Sequence, residues 1–138
     1  MAGYSGTPLV KKLGIAERSR VAVIAAPNGF AASLDLPPGV VLRKQARGRL
    51  DVVVFFATRS AELVRRFPAM QRGIEPGGGL WIAWPKRTSG VATDVSENLV
   101  REVGLANGLV DNKVAAIDEI WSALRFVYRS KDRPRVQR

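Results

Sequence analysis

The chain has 138 residues, of which 46% are hydrophobic, so it can bury one core but is too short for two ordinary domains. It contains no cysteine and no histidine, which excludes disulfides, thiolate chemistry, histidine metal ligands and any nucleophile that an imidazole activates. Lysine and arginine outnumber aspartate and glutamate by 22 to 12, and the net charge of +10 indicates either an anionic partner or an arginine-rich solvated surface.

The N-terminal segment predicts a short helix followed by a buried strand. Thr7 as the N-cap, Pro8 at the first helical position and Gly14 just past the end are typical helix boundaries. The run at 21–26 is apolar at every position, so both faces of its strand must be covered, as in the centre of a parallel sheet. Residues 30–34 leave room for about one helical turn before two prolines.

A basic loop follows the second strand. Residues 40–42 predict a short strand that leads directly into four basic residues, an arrangement expected near a sheet edge. Together with Arg87 further along, these residues form a candidate surface for an anion or a nucleic acid: Arg43, Lys44, Arg47 and Arg49. A second basic cluster occupies residues 130–138, and we expect it to be a tail that is disordered when unbound.

The next strand and helix are the clearest pair in the sequence. Residues 51–57 are mostly β-branched or aromatic and predict a buried strand that ends before Thr58. Ser60 is placed as the N-cap of a helix that reaches about Gly73, and Pro68 within it predicts a kink or an early end. The expected buried stripe of this helix consists of Ala61, Leu63, Val64, Phe67 and Met70.

The segment 77–90 organises the rest of the chain. Three glycines precede an apolar strand at 80–84, in which Trp81 and Trp84 should lie on opposite faces of the sheet. The exit of this strand carries the densest polar cluster of the sequence: Lys86, Arg87, Thr88, Ser89 and Asp94. Because strand exits bind ligands in open α/β sheets, we expect Lys86 to contact an anionic group there.

The C-terminal third predicts a helix and then an ambiguous segment. Thr93 or Asp94 is placed as the N-cap of the helix, since Glu97 lies at capping-box spacing from Asp94. The expected buried face of the helix is Leu99, Val100, Val103 and Leu105. Residues 111–129 fit helical spacing and also fit two strands about a polar turn at 118–119, and their composition favours the strands.

Alternating strands and helices predict an α/β fold: a compact Rossmann-like domain with a mostly parallel sheet, helices on both faces and a C-terminal antiparallel hairpin. We place this single domain at 1–129. The carboxyl ends of its central strands should meet at one edge, where open α/β sheets bind ligands. The candidate ligand-binding residues at that edge are Lys86, Ser89, Asn28, Gly29 and Thr58.

Two resemblances accompany this prediction. The whole chain resembles a small bacterial family of unknown function through the phrases TPLVKKLGI, DVVVFF, LWIAWPK, GLVDNKVAAID and WSALRFV. The second half is similar to that of class I SAM-dependent methyltransferases, with a strand, a helix, a PGGxL strand, a helix and a terminal antiparallel hairpin. The chain departs from that family where AAPNGF replaces a glycine-rich first loop, and where Arg43 and Lys44 replace the acidic residue that holds the cofactor ribose.

Two functional hypotheses follow. In the first, the protein is a non-catalytic Rossmann-like module that binds an anionic small molecule or a nucleic acid through a basic surface. In the second, it is a reduced methyltransferase-like or nucleotide-utilising enzyme with a non-standard cofactor loop. The missing glycines, ribose acid and histidines favour the first, and the sequence names no catalytic residue, metal ligand or particular cofactor.

The compartment and the assembly state are also predicted. No apolar run approaches the roughly 20 residues of a membrane span, and the N-terminus lacks the charged-then-apolar order of a signal peptide, so we expect a soluble cytoplasmic protein. A homodimer through an exposed sheet edge or through the hairpin would suit a regulatory role.

Overall fold

The structure is a computed structural model that describes residues 7–132. Its strands are β1 (Arg20–Ile24), β2 (Val41–Arg43), β3 (Leu50–Phe56), β4 (Ile74–Pro85), β5 (Leu109–Ala116) and β6 (Trp121–Tyr128). Its α-helices are α1 (Leu9–Lys12), α2 (Phe30–Ser33), α3 (Ser60–Gly73) and α4 (Glu97–Ala106), and short 3-10 turns lie at Arg87–Ser89 and Ser130–Asp132. The rest of the predicted basic tail, 133–138, lies outside the described residues.

The six strands form one sheet in the order β2-β1-β3-β4-β6-β5. The first four in that order are parallel, whereas β6 runs antiparallel to β4 and β5 runs antiparallel to β6. The predicted α/β fold with a mostly parallel sheet and a C-terminal hairpin is therefore confirmed. The hairpin turn is closed by Asp118, whose Oδ1 accepts hydrogen bonds from the backbone N–H groups of Ile120 and Trp121, each at 2.8 Å.

Two apolar layers lie on the two faces of the sheet. On one face, α3 and α4 pack over a cluster in which the Phe67 and Phe126 rings meet edge to face at 5.8 Å. The other face carries α1 and α2, and its cluster includes Phe56, whose ring lies 5.0 Å from that of Trp121. Trp84 belongs to the first cluster and Trp81 to the second, which confirms their predicted placement on opposite faces.

Two of the predicted helix boundaries need correction. Pro8, not Thr7, is the N-cap residue of α1, because its extended backbone (ψ 145°) places it outside the helix. α3 continues through Pro68 to Gly73 without ending early. Pro68 cannot donate to the carbonyl of Val64, but Val64 lies on the solvent side of the helix, where water can satisfy that oxygen.

The predicted buried helix faces were too wide. In α3 the buried side chains are Leu63, Phe67 and Met70, whereas Ala61 is exposed and Val64 is 54% exposed. In α4, Leu105 is 46% exposed, and Gly104 is buried in its place. A Cβ added at Gly104 would collide with the ring of Phe126, so the absence of a side chain is what allows this close approach of helix and sheet.

β4 begins earlier than predicted, because its glycines lie within the strand. Gly79 pairs with Val52 of β3, and a Cβ added at Gly78 would lie 2.9 Å from the carbonyl oxygen of Asp51. The strands thus approach too closely here for a side chain. No helix within residues 7–132 has the length and apolar character needed to cross a membrane.

Candidate functional site

The carboxyl ends of β1, β3 and β4 meet at one edge of the sheet, which we call the carboxyl edge. These strands are adjacent and parallel, so the loops that follow them, at 25–29, 57–59 and 86–96, lie side by side. The structure places all of the predicted ligand-binding residues in these loops: Asn28, Gly29, Thr58, Lys86 and Ser89. This edge is the position at which open α/β sheets bind ligands.

The loop after β1 holds two residues with left-handed backbones. Gly29 has φ +85° and precedes α2, a conformation that glycine adopts without strain. Ala25 has φ 58°, which few residues other than glycine adopt, because the Cβ then crowds the backbone. Strained residues of this kind are enriched at functional sites, so Ala25 indicates a functional site near the end of β1.

Lys86 joins the exit of β4 to the hairpin turn. Its backbone N–H donates to the carbonyl oxygen of Ile120 at 2.7 Å, and its ammonium donates to the carbonyl oxygen of Asp118 at 2.8 Å. An ammonium has three hydrogens, so two remain for a ligand or for water. Lys86 therefore has a structural contact in addition to its predicted role at the site.

Asp94 does not cap the helix that follows it. Its carboxylate accepts hydrogen bonds from the N–H and the hydroxyl of Ser60, at 2.7 and 2.6 Å, and thus caps α3 from a distant part of the chain. These hydrogen bonds, the hydroxyl's first, hold the pKa of Asp94 below its usual value. Ser60 is accordingly the first residue of α3 rather than its N-cap, which is Arg59.

α4 is capped by Ser96, whose hydroxyl oxygen accepts a hydrogen bond from the backbone N–H of Leu99 at 3.2 Å. The predicted caps, Thr93 and Asp94, were wrong because α3 and its preceding loop engage both. The Thr93 hydroxyl donates to the carbonyl oxygen of Thr58 at 2.7 Å. This segment thus fastens the loop after β4 to the loop after β3.

A groove of about 1060 Å³ lies between the exit of β4, residues 91–96 and the start of α4. Among its lining acids, Asp94 is bound to Ser60, and Glu97 forms an ion pair with Arg101 at 2.9 Å. Lys86 and Arg87 also line it, and within residues 7–132 neither has a carboxylate within 4.0 Å. The groove therefore places two basic side chains that form no ion pair beside Trp84, together with the Asp94 carboxylate, which keeps its charge because Ser60 is neutral.

The predicted basic surface is divided between the two edges of the sheet. Arg87 lies at the carboxyl edge, whereas Arg49 directly precedes β3 at the opposite edge and lies 3.8 Å from Glu75. The remaining predicted residues lie at the end of β2 and in the loop between β2 and β3: Arg43, Lys44 and Arg47. Because β2 is parallel to β1, Arg43 at its end also lies at the carboxyl edge, three strands along the sheet from the end of β4 and Arg87.

Sequence reasoning missed several residues of the groove. Asn98 and Ser122 line it, and Arg59 lies exposed in the adjacent loop. Ser122 has no local signal, since it reaches the groove only because β6 pairs with the end of β4. No group of three or more acidic side chains in residues 7–132 is placed to hold a metal ion.

The fold is shared with solved methyltransferase structures. A SAM-dependent methyltransferase from Aquifex aeolicus is 14% identical, with a TM-score of 0.61 over 86% of each chain. The ribosomal protein L11 methylase from Lactobacillus delbrueckii subsp. bulgaricus is 10% identical, with a TM-score of 0.58 over 88% of this chain and 75% of the other. The magnesium protoporphyrin IX methyltransferase from Synechocystis PCC 6803, solved with bound SAM, is 10% identical, with a TM-score of 0.55 over 88% and 74%.

No family model and no curated protein matches this chain. At these levels of identity, structural similarity defines a fold and not an activity. The resemblance of the second half to class I SAM-dependent methyltransferases extends to the arrangement of the described residues as a whole, from β1 to the C-terminal hairpin. The chain has a methyltransferase-like Rossmann fold.

Proposed function

We propose that the protein is a non-catalytic Rossmann-like module that binds an anionic small molecule in the groove at the carboxyl edge. The observation that carries this proposal is that the two basic side chains of the groove form no ion pair. Lys86 and Arg87 have no carboxylate within 4.0 Å among the described residues, whereas Glu97 is paired with Arg101 and the charged Asp94 carboxylate is bonded to Ser60. An anionic ligand would supply the partner that these two cations lack.

The residues of the groove suit such a ligand. Arg87 would present a planar guanidinium, which can form two parallel hydrogen bonds to a phosphate or carboxylate group. Lys86 is held in place by its bond to Asp118, so little of its side-chain freedom remains to be lost on binding. Ser122 supplies a hydroxyl, and Trp84 supplies an apolar wall.

SAM itself does not fit the carboxyl edge in two respects. The strand that should end in a ribose-binding acid, β2, ends in Arg43 and is followed by Lys44. The loop after β1 contains Pro27, which has no N–H to offer a ligand, and Gly29 is its single glycine. We therefore derive no methyl-transfer step for these residues.

The second candidate function is a reduced methyltransferase-like or nucleotide-utilising enzyme. It is favoured by the extent of the fold similarity, since the structural match covers 86% of this chain and 86% of a SAM-dependent methyltransferase. The strained Ala25 at the end of β1 is a further observation in its favour. Such an enzyme would need a cofactor whose recognition does not depend on a ribose-binding acid.

A titration with inorganic pyrophosphate tests the anion-binding proposal. Tryptophan emission should change saturably, because Trp84 lines the groove, and the part of this change that comes from Trp84 should be absent in Trp84→Phe. Arg87→Ala should weaken binding by about tenfold, whereas Arg65→Ala, which removes an equal charge from the surface of α3, should change it by less than about twofold. Equal weakening by both variants would indicate diffuse attraction and would contradict the proposal.

Nucleic-acid binding, a cytoplasmic location and a homodimer stay predictions. The sheet offers two edges for pairing, β2 and β5. β5 carries a register shift between Asp111 and Lys113, and such irregularities and charges discourage strand addition. β2 is exposed along its whole length and has only three residues, so it could contribute only a small pairing surface.

A further inference from the structure

The two faces of the sheet are covered unequally. α3 and α4, of 14 and 10 residues, pack over one face, whereas the described helices of the other face, α1 and α2, have four residues each. α1 is held beside β4 because the indole N–H of Trp81 donates to the carbonyl oxygen of Leu13 at 3.0 Å. Between α1 and β5 this leaves a cleft of about 470 Å³.

The lining of this cleft is basic. Lys11 and Lys12 reach it from α1, and Lys113 reaches it from β5, a hundred residues later in the chain. No acidic residue lines the cleft, and none of the three lysines is within 4.0 Å of a carboxylate in the described part of the chain. The C-terminal dipole of α1 accounts for two of these lysines but not for the third.

A fourth cation, Arg125, lies in the cross-strand row that contains Trp81 and Lys113. Arg125 is paired with Trp81 on one side and with Lys113 on the other, and side chains directly opposite in an antiparallel pair share a face. Its guanidinium lies over Gly79, where an added Cβ would collide with it. Its one described hydrogen-bond partner is the side-chain oxygen of Asn112 at 3.4 Å, which carries no charge.

The burial of Arg125 makes this arrangement costly. The side chain is about half buried, and this burial lowers the pKa of the guanidinium. A partly buried cation without a carboxylate partner is destabilising, and Lys113, which is paired with Arg125 across the strands, adds repulsion. A bound anion would relieve both effects.

We infer that this cleft, which we name the lysine cleft (Lys11, Lys12 and Lys113 beside Trp81), binds a small phosphorylated molecule. It is separate from the groove at the carboxyl edge, which contacts Trp84 and lies across the sheet from Trp81. A volume of about 470 Å³ is in the range of small-molecule sites. The lack of acids and the convergence of cations from two distant segments suit the high charge of a phosphate group.

The test is a titration of ¹⁵N-labelled protein with inorganic pyrophosphate, observed by two-dimensional NMR. The indole N–H of Trp81 and the backbone N–H groups of 113–116 should shift saturably, because they border the cleft. The double variant Lys11→Ala/Lys113→Ala should lower the affinity that these shifts report by about tenfold or more. This is the effect of removing one or two charge-assisted hydrogen bonds. All three lysines lie away from the core, so the variant should fold.

Two controls separate this site from diffuse charge and from the carboxyl edge. Lys44→Ala/Arg47→Ala removes the same charge from the loop after β2 and should change the affinity by less than about twofold. Lys86→Ala changes a residue outside the lysine cleft, so it should leave the shifts of the Trp81 signal unchanged. This result does not depend on whether the groove at the carboxyl edge binds a ligand. Equal weakening by both double variants, or an unshifted Trp81 signal, would overturn the proposal. Tighter binding of a single-stranded oligonucleotide, with shifts extending to the loop after β2, would replace it with a nucleic-acid surface.

Discussion

The ammonium of Lys86 donates a hydrogen bond to the carbonyl oxygen of Asp118 at 2.8 Å, and this bond joins the exit of the central strand to the turn of the C-terminal hairpin. Asp118 in turn closes that turn through its carboxylate. The same lysine lines the groove in which we place the ligand. The Lys86 side chain therefore contributes a structural hydrogen bond and also lines the proposed binding groove.

Replacing Lys86 should affect both properties. Lys86→Ala should lower the free energy of unfolding by about 1 kcal/mol, because a partly buried hydrogen bond is lost and the carbonyl of Asp118 must find water. Urea unfolding at neutral pH measures this change, with Lys44→Ala as a control that removes a lysine from an exposed loop. An unchanged urea midpoint for Lys86→Ala would show that the bond contributes nothing and that Lys86 is free for a ligand alone.

Asp94 should make the stability depend on pH in the acid range. Its pKa is lowered in the folded state by its bonds to Ser60, so its contribution is fully present above the ordinary value of 3.8 and is lost as the pH falls through the lower folded value. Asp94→Asn should therefore unfold at a lower temperature than the unmodified protein at neutral pH. The difference should shrink below about pH 4 as the unmodified protein loses the same contribution.

Asp35→Asn is the matched control for Asp94, because Asp35 is exposed and accepts no side-chain hydrogen bond among residues 7–132. Thermal unfolding followed by circular dichroism from pH 7 to pH 2 suffices. A temperature difference for Asp94→Asn that stays constant over this range would show that its carboxylate does not cap α3 in the charged form.

Gly104→Ala should destabilise the fold although alanine is the better helix former. The added methyl group would overlap the ring of Phe126, and overpacking of this kind costs about 1–3 kcal/mol. Gly73→Ala, at the end of α3, is the control, since its added Cβ would meet neighbours at 3.5 Å or more, which is ordinary contact. The urea midpoint of Gly73→Ala should equal or exceed that of the unmodified protein. A Gly104→Ala variant with an unchanged midpoint would refute the packing of α4 on β6.

Ala25 should show the cost of its left-handed backbone. Ala25→Gly should be neutral or stabilising by up to about 1 kcal/mol, because relief of strain offsets the greater freedom of glycine in the unfolded chain. Ala25→Val should be destabilising, because a β-branched side chain fits this backbone worst. The order of urea midpoints, glycine first and valine last, is the expected result, and a valine variant as stable as the unmodified protein would show that Ala25 is not strained.

The sheet could be predicted from the sequence because its signals are local. The apolar runs at 21–26 and 51–57 define central strands without knowledge of any partner, and Trp81 and Trp84 follow the alternation of a strand. Helix faces were predicted less well. Val64 and Leu105 fit the helical period, yet both lie at the margin of the buried stripe and face solvent.

The site could be predicted only as far as strand ends determine it. The loops with Asn28, Thr58 and Lys86 meet because parallel strands end at one edge. The bond of Asp94 to Ser60 joins residues 34 positions apart, and a local capping pattern with Glu97 offered a competing explanation. Which side chains contact the charged groups of the groove depends on such distant pairs, so the sequence could list the cations but not identify the ones without a carboxylate partner.

One measurement tests the central claim most directly: parallel calorimetric titrations with inorganic pyrophosphate and with SAM. They should use Lys11→Ala/Lys113→Ala, so that the lysine cleft does not contribute, together with the same protein carrying Arg87→Ala. We predict saturable binding of pyrophosphate that Arg87→Ala weakens by about tenfold, and no binding of SAM. Saturable binding of SAM with no effect of pyrophosphate would contradict the anion-binding module and favour the enzyme.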